Sequence, residues 1–500
     1  MEFSGTHVTE GVMELSSGPP KTFSDSSTPD ESSAVHDLEL VAREGESSSL
    51  SSTTSPPSHP DPNSDEPILQ TRREHVLVVA SLSVPIIAAS VLSCGMVLVD
   101  FAMVGHLGKK ELGAAALATT WFNLVNHPMS GAATALDTLF AQSYGAGEYH
   151  RYADWLRGGL ATLLLLCLPC AAVLGVCQPV LTSMGQNAEL ARMAGEYCWR
   201  LIPGLPPHYI FLALTKHLQA QRILAPSVWV GLAANVTNAA LNYVLIYVLG
   251  FGFHGAPLAT TALRWAQLAF LGGYLIRRLA FSPFPSAAAA AAAAAVADDD
   301  DASSANAIEA TASPLLRFRQ TWPMHWLPSG PEDAFRLRSD CWRIFKLMVP
   351  GAAMLALEAW AFEVSSLLAG LLNNLIALDA HIILLNVCGF VFLSFPFALG
   401  IAGSIRVGHL LGAGKALEAK RAAETVLSMT CLGCTALAAA FLAAQNHIGK
   451  VFTQDDDVVK AVAMLVPMAA LFQVSDGIQS AVAGVLRGMG RQRMVALLVR

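Results

Sequence analysis

Apolar residues along this chain come in long runs broken by short polar stretches, and ten of the runs are long enough to cross a bilayer. They cover 76–104, 113–142, 156–177, 196–215, 226–250, 256–276, 344–371, 378–405, 422–444 and 460–486. Each predicts a membrane helix, so the expected fold is an all-α polytopic membrane protein. Two segments break the pattern. Residues 1–72 are rich in Ser, Thr, Pro, Asp and Glu and cannot bury a core, which predicts a disordered tail; no apolar stretch follows the start, so it does not read as a signal peptide. Residues 280–340 hold a polyalanine tract, Ala287–Ala295, an acidic patch, Asp298–Asp301, and several prolines, which predicts a flexible linker. The expected organisation is therefore a tail (1–72), a first lobe of helices one to six (73–279), a linker (280–340) and a second lobe with helices seven to ten and the start of eleven (341–500).

Composition agrees with a membrane class. Hydrophobic residues make up 53% of the chain, charged residues only 14%, and mean hydropathy is +0.47. The net charge of −7 comes largely from tail and linker, and no basic block points to nucleic acid. Of nine cysteines, Cys167/Cys170 in CLPC and Cys431/Cys434 in CLGC have CxxC spacing. Both pairs fall inside apolar helices without nearby His, so they read as packing residues, not as a metal site or a disulfide framework. Lys and Arg in alternate connections divide twenty-one against six, and the richer side holds Arg72, Arg73 and the linker. The positive-inside bias then predicts a cytosolic N-terminus. Plasma membrane and vacuolar or other endomembranes fit equally.

The two lobes repeat. Residues 83–117 align with 348–383, Pro85 on Pro350 and Gly105 on Gly370, and 139–151 align with 405–420, GAG on GAG. LQAQRILA (218–225) then meets GMGRQRMVA (488–496) through a shared Gln-Arg. Six-helix repeats that both begin on one side are related by a pseudo-twofold axis along the membrane normal, an arrangement typical of transporters. Gln221-Arg222 is followed by two more spans, whereas only seven residues follow Gln492-Arg493; the second lobe is expected to lack its last two helices in this chain.

Six stretches, in order, resemble the multidrug and toxic compound extrusion (MATE) family in its eukaryotic form: VGHLGKKELGAAALA (104–118), ALDTLFAQSYGAGE (135–148), HLQAQRILAPSVW (217–229), NAALNYVLIYVLGFGFHGAPLATT (238–261), LEAWAFE (357–363) and GVLRGMGRQ (484–492). The resemblance implies two six-helix lobes forming a V. It also implies secondary-active efflux of organic cations or amphiphiles in exchange for H⁺ or Na⁺, with no other cofactor and no enzymatic activity, by a monomer in the bilayer.

A carboxylate inside a span is a functional candidate by default, because insertion there is costly. Glu358 lies mid-span, and Glu363, five residues on, is about 140° around the helix, so the two cannot share a face. One is expected to line the cavity and the other to lie inside the lobe or against a neighbouring helix. Asp476 is the natural partner of Glu358: two adjacent carboxylates cannot both ionise cheaply, so the pair shares a proton. The family resemblance implies the same pairing, and implicates Glu363 as well. It also aligns Asp100 with a first-helix aspartate of bacterial members whose cation site uses an Asn-x-x-x-polar pair, here Asn238 and Asn242, with Thr260 adding a hydroxyl. The spacing of four puts both amides on one helix face, which equally suits interhelical hydrogen bonding.

Gln142, with Tyr144 and Gly145, sits at a helix end where a tight turn is expected, and Asp137 lies two turns earlier with either role open. Trp360 could stack on a cation or simply pack. Asp379, beside Asn373 and Asn374, reads as solvated near an outer loop, and His127, His381 and His409 as packed histidines. Arg264 is the one basic residue noted within a span, free to pair with an acid. Two other readings stay open: a metabolite or lipid-linked saccharide carrier of the same superfamily, and a membrane protein that does not transport. No Ser/His dyad or paired acidic motif with recognisable spacing suggests an enzyme.

Overall fold

The computed structural model describes residues 71–280, 318–323, 325–371 and 375–498. The tail, the polyalanine and acidic tracts, Asn373 and Asn374 lie outside the described residues. The described residues form an all-helical body of fourteen α-helices. The first half holds α1 (Arg72–Gly105), α2 (Lys109–Gly145), α3 (Tyr149–Gly175), α4 (Cys177–Ser183), α5 (Ala188–Leu201), α6 (Leu205–Ala220), α7 (Ala225–Tyr243) and α8 (Gly255–Ala280). The second holds α9 (Pro331–Leu371), α10 (Leu375–Ser394), α11 (Pro396–Gly412), α12 (Ala416–Phe452), α13 (Asp456–Gly488) and α14 (Gln492–Leu498).

Local chemistry sets the boundaries. Thr71 and Glu74 form a reciprocal capping box that starts α1, the Thr71 hydroxyl accepting from Glu74 N at 3.4 Å and the Glu74 carboxylate from Thr71 N at 2.9 Å. Asn187 and Asp455 cap α5 and α13 with the side chain alone, each accepting from the second and third backbone N–H groups of its helix. Pro203, Pro206 and Pro207 split the fourth apolar run into α5 and α6, and Pro396 splits the eighth into α10 and α11. At the ends of α2 and α11 the GAG repeat does the same work twice: Gly147 (φ 76°) and Gly414 (φ 72°) take the left-handed conformation that lets the chain reverse.

Among the described residues, seven helical segments are long and apolar enough to cross a membrane by length and composition, and all coincide with predicted runs. The predicted runs outside those seven fall on α2, α5–α6 and α8. These carry interior polar groups (Asp137, Lys216, Arg264, Gln267) that lower their hydropathy, and all four are buried by neighbouring helices. Shielded helices need not be uniformly apolar.

Two expectations need correction. The segment read as linker is structured at its end: α9 begins at Pro331, and Phe318 and Thr321 are 1% and 0% exposed. Phe318 lies under the Arg278 guanidinium and Trp322 sets its edge to His217, so aromatic packing holds this stretch on the first half. Arg157 clasps Asp333 through two hydrogen bonds of 2.6 and 3.0 Å. Four cations of the arginine-rich side, Arg157, Lys216, Arg406 and Arg487, are buried and not in water.

The halves meet along α2, which packs on α9 and α11, and along α1, which packs on α11 and α12. Hydrogen bonds across this seam gather at the arginine-rich ends of the helices: Gln142 Nε2 donates to the Gly488 carbonyl at 2.9 Å, Thr138 Oγ1 to that of Arg487 at 2.5 Å, and His409 Nε2 contacts the Ala220 carbonyl at 2.7 Å. The contact is reciprocal, as the repeat requires. Gly145 lies against the His409 backbone, and Gly412 against the backbone of Gln142, the residue aligned with His409. A Cβ at either glycine would collide with backbone, which cannot give way. We expect Gly412→Ala to cost about 1–3 kcal/mol through overpacking and to prise the seam open. A cysteine at fully buried Ser404, with native thiols replaced, should then react with a membrane-impermeant maleimide; a cysteine that stays protected would contradict the seam.

Candidate functional site: two buried charge clusters

In the first half the fold brings together four residues from three helices. Asp100, near the end of α1, accepts hydrogen bonds at Oδ1 from Asn238 Nδ2 (2.9 Å) and Asn242 Nδ2 (2.7 Å) of α7. The i,i+4 spacing places both amides on one face, and both asparagines are fully buried. Asn238 also donates to the Met96 carbonyl at 3.1 Å, and the Asn242 Oδ1 acceptor is left without a partner. Thr260 of α8 stands at the same carboxylate, its hydroxyl donating to the Ala256 carbonyl at 3.1 Å. One turn further, Arg264 adds a positive charge in the field of Asp100.

In the second half, Glu358 of α9 is half-buried and Asp476 of α13 is 7% exposed. Asp476 lies in the field of Glu358, and Glu358 in that of Arg487. A third set is a buried ion pair: Lys216 Nζ donates to both Asp137 carboxylate oxygens at 2.7 and 2.8 Å, with 7% and 3% of the side chains exposed. Asp137 thus has a partner that fixes α2 to α6, which is the structural role left open for it above.

Other predicted residues fall elsewhere. Glu363 is exposed, whereas Glu358 is half-buried, so the two glutamates present different faces of α9 as their spacing requires. Gln142 belongs to the seam. Trp360 lines an apolar cavity of about 380 Å³ between α2, α3 and α9, with Leu124, Val125, Pro128 and Phe345, apart from both charge clusters. His409 is packed and bonded at the seam, and Asp379 is exposed. Among the described residues no group of three His, Cys, Asp or Glu stands close enough to hold a metal. Sequence reasoning missed Arg487 as an interior group. Its signal was present: in GVLRG it lies between Gly484 and Gly488, each at close contact with α11 backbone, which leaves no solvent on that face.

Membrane helices in two halves, closed at one end and carrying interior carboxylates, define a polytopic membrane protein of the transporter class. Residues 85–244 and 350–499 each match the MatE family, and the chain belongs to that family, carrying its unit twice. It is 34% identical over 396 residues to multidrug and toxin extrusion protein 1 of Xenopus tropicalis, covering 79% of this chain and 60% of that protein. To multidrug and toxin extrusion protein 2 of Mus musculus it is 31% identical over 430 residues, covering 85% and 66%. The chain thus spans about three-fifths to two-thirds of the length of the curated relatives it matches. Among solved structures, the eukaryotic MATE transporter AtDTX14 superposes with a TM-score of 0.71 at 26% identity, over 85% of each chain.

Proposed function

We propose that the protein is a secondary-active antiporter that exports organic cations or other amphiphiles in exchange for H⁺ or Na⁺, with Glu358 and Asp476 as the coupling site. The observation that carries this reading is that Glu358 of α9, half-buried, and Asp476 of α13, 7% exposed, lie within electrostatic reach in one half. Like charges so placed hold a proton between them. With the proton bound, the interior is neutral enough to close around. With the proton released, it is negative and attracts an organic cation. Proton and substrate then compete for the same oxygens, and competition of this kind yields exchange.

Asp100, with its two amides and Thr260, is a second polar centre that holds α1, α7 and α8 together and can shape the substrate path. The arginine-rich end, where the seam is closed, is assigned to the cytosol by the positive-inside bias. This places the N-terminus in the cytosol and leaves the opposite side for release. The names of the relatives supply the substrate class: they are multidrug and toxin extrusion proteins.

The test is uptake of a fluorescent organic cation into proteoliposomes under an imposed pH gradient and, separately, a sodium gradient. Concentrative uptake driven by one gradient and collapsed by the matching ionophore is the expected result. Uptake that never exceeds equilibration under either gradient would refute antiport.

A further inference from the structure

The helix α9 has 41 residues, about 60 Å at 1.5 Å per residue, so it outruns a hydrocarbon core of about 30 Å. Its first turns stand at the arginine-rich end of the molecule. One side of them is packed on α3: Arg157 clasps Asp333, Arg151 lies 3.6 Å from Asp340, and the Cys341 thiol donates to the Gly158 carbonyl at 3.6 Å. The other side is exposed. It carries Arg336, Arg338, Arg343 and Lys346, with Phe335 75% and Trp342 57% exposed among them. Among the described residues no acid forms an ion pair with these four cations, and Glu332 is the one acid of the stretch without such a pair.

This face leads into the apolar cavity between α2, α3 and α9. Arg338, Trp342, Phe345 and Val349 recur at spacings of four, three and four, which is a single stripe of a helix. Trp342 stacks on Phe345 with ring centres 5.8 Å apart, and the Lys346 ammonium lies 5.2 Å from the centre of the Trp342 ring. Phe345 and Val349 are in turn walls of the cavity, so basic face and cavity are joined by direct contacts. From Val349 to Trp360 the cavity follows α9 for about 16 Å, roughly the depth of one leaflet's chains. No lining residue carries a charge or a hydroxyl, and Leu124, Val173, Val349 and Trp360 are each more than a third exposed, so the cavity is open at its rim. A cation would find no counter-charge inside it. An alkyl chain needs none.

We propose that α9, α2 and α3 form a site for one anionic phospholipid of the leaflet at the arginine-rich end. Its phosphate lies against Arg338 and Lys346, Arg343 adds to the field, and one acyl chain occupies the cavity. Exposed cations and an indole at headgroup level, with apolar walls below, match the two ends of such a molecule. The walls come from both halves, α2 and α3 from the first and α9 from the second, so the chain is shared between them. Bound lipid then stabilises this arrangement over any in which α9 moves away from α2 and α3. The site stands apart from the antiport reading. The orientation proposed above decides only which leaflet supplies the lipid.

The test is quenching of Trp360 fluorescence in the full chain by lipids with brominated acyl chains, each protein being compared with its own Trp360→Phe counterpart. Brominated phosphatidylglycerol should half-saturate well below brominated phosphatidylcholine, by about fivefold for each of the two cations and so about 25-fold together. Arg338→Gln/Lys346→Gln should lose that preference, and because both side chains are exposed the variant should fold. Val349→Phe, which narrows the rim, should weaken quenching by both lipids. Phosphatidylglycerol should also raise the melting temperature of wild type and not that of Arg338→Gln/Lys346→Gln. Equal quenching by the two lipids in wild type overturns the proposal, as does a preference that survives in Arg338→Gln/Lys346→Gln or quenching unchanged in Val349→Phe. A brominated sterol that outcompetes the anionic lipid would give the cavity to a sterol, and displacement of the lipid by tetraphenylphosphonium would give it to an organic cation; either result overturns the proposal as well.

Discussion

Glu358→Gln should reduce pH-gradient-driven cation uptake to the level of protein-free vesicles while leaving the protein folded. Glutamine has the shape of the protonated acid and can hydrogen-bond like it, but it cannot release a proton. The variant is therefore held in the loaded-proton form, and no negative charge appears to draw a cation in. Asp476→Asn should act in the same direction. Because Asp476 lies in the field of Glu358, the two acids form one unit, and the double variant should be little worse than either single one. Glu363→Gln should be milder than either, since that side chain is exposed and on a different face of α9 from Glu358. The measurement is initial-rate uptake normalised to folded protein, with thermal melting in detergent as the control on folding.

Lys216→Met should be among the most destabilising single changes in the chain. Asp137 is 3% exposed, and both its oxygens accept from Lys216. Removing one member of a buried pair strands the other charge in the interior at a cost of about 3–5 kcal/mol. Arg487 has Asp137 in its field, and recruiting it would strip Glu358 of its neighbour. Lys216→Met should therefore lower the melting temperature sharply. Combining it with Asp137→Leu should recover most of the loss, since replacing a whole buried pair with apolar groups is often neutral. A double variant no more stable than Lys216→Met alone would show that the pair does more than neutralise itself.

Much of this architecture was legible in the sequence because long apolar runs are a strong signal and the GAG repeat marks equivalent turns. The Asp100–Asn238–Asn242 cluster was legible as well: spacing along α7 fixes a common face, and a carboxylate in α1 has few alternatives to pairing with it. What the sequence hid were contacts between residues distant along the chain. Lys216 and Arg487 lie close to polar connections, and counting charges assigns both to the aqueous side. Only the packing of α2 against α6, and of α11 against α13, reveals that they are buried. The docked stretch before α9 was hidden for a different reason. Phe318 and Trp322 stand among prolines and polar residues, and their packing depends on the His217 ring and the Arg278 guanidinium, far away along the chain. The face that Glu363 presents was hidden as well, because depth along a helix does not tell which side chains are exposed.

The central claim is that proton and organic cation compete for the carboxylates of α9 and α13. The most direct measurement is the equilibrium Kd of an organic cation for the purified protein as a function of pH. If one proton and the cation exclude each other, Kd rises by about tenfold for each unit by which pH falls on the acid side of the titration and levels off on the alkaline side. In Glu358→Gln that dependence should be lost and binding should be weak throughout. A wild-type Kd that stays constant across the range, or a Glu358→Gln profile that follows wild type, would contradict the account.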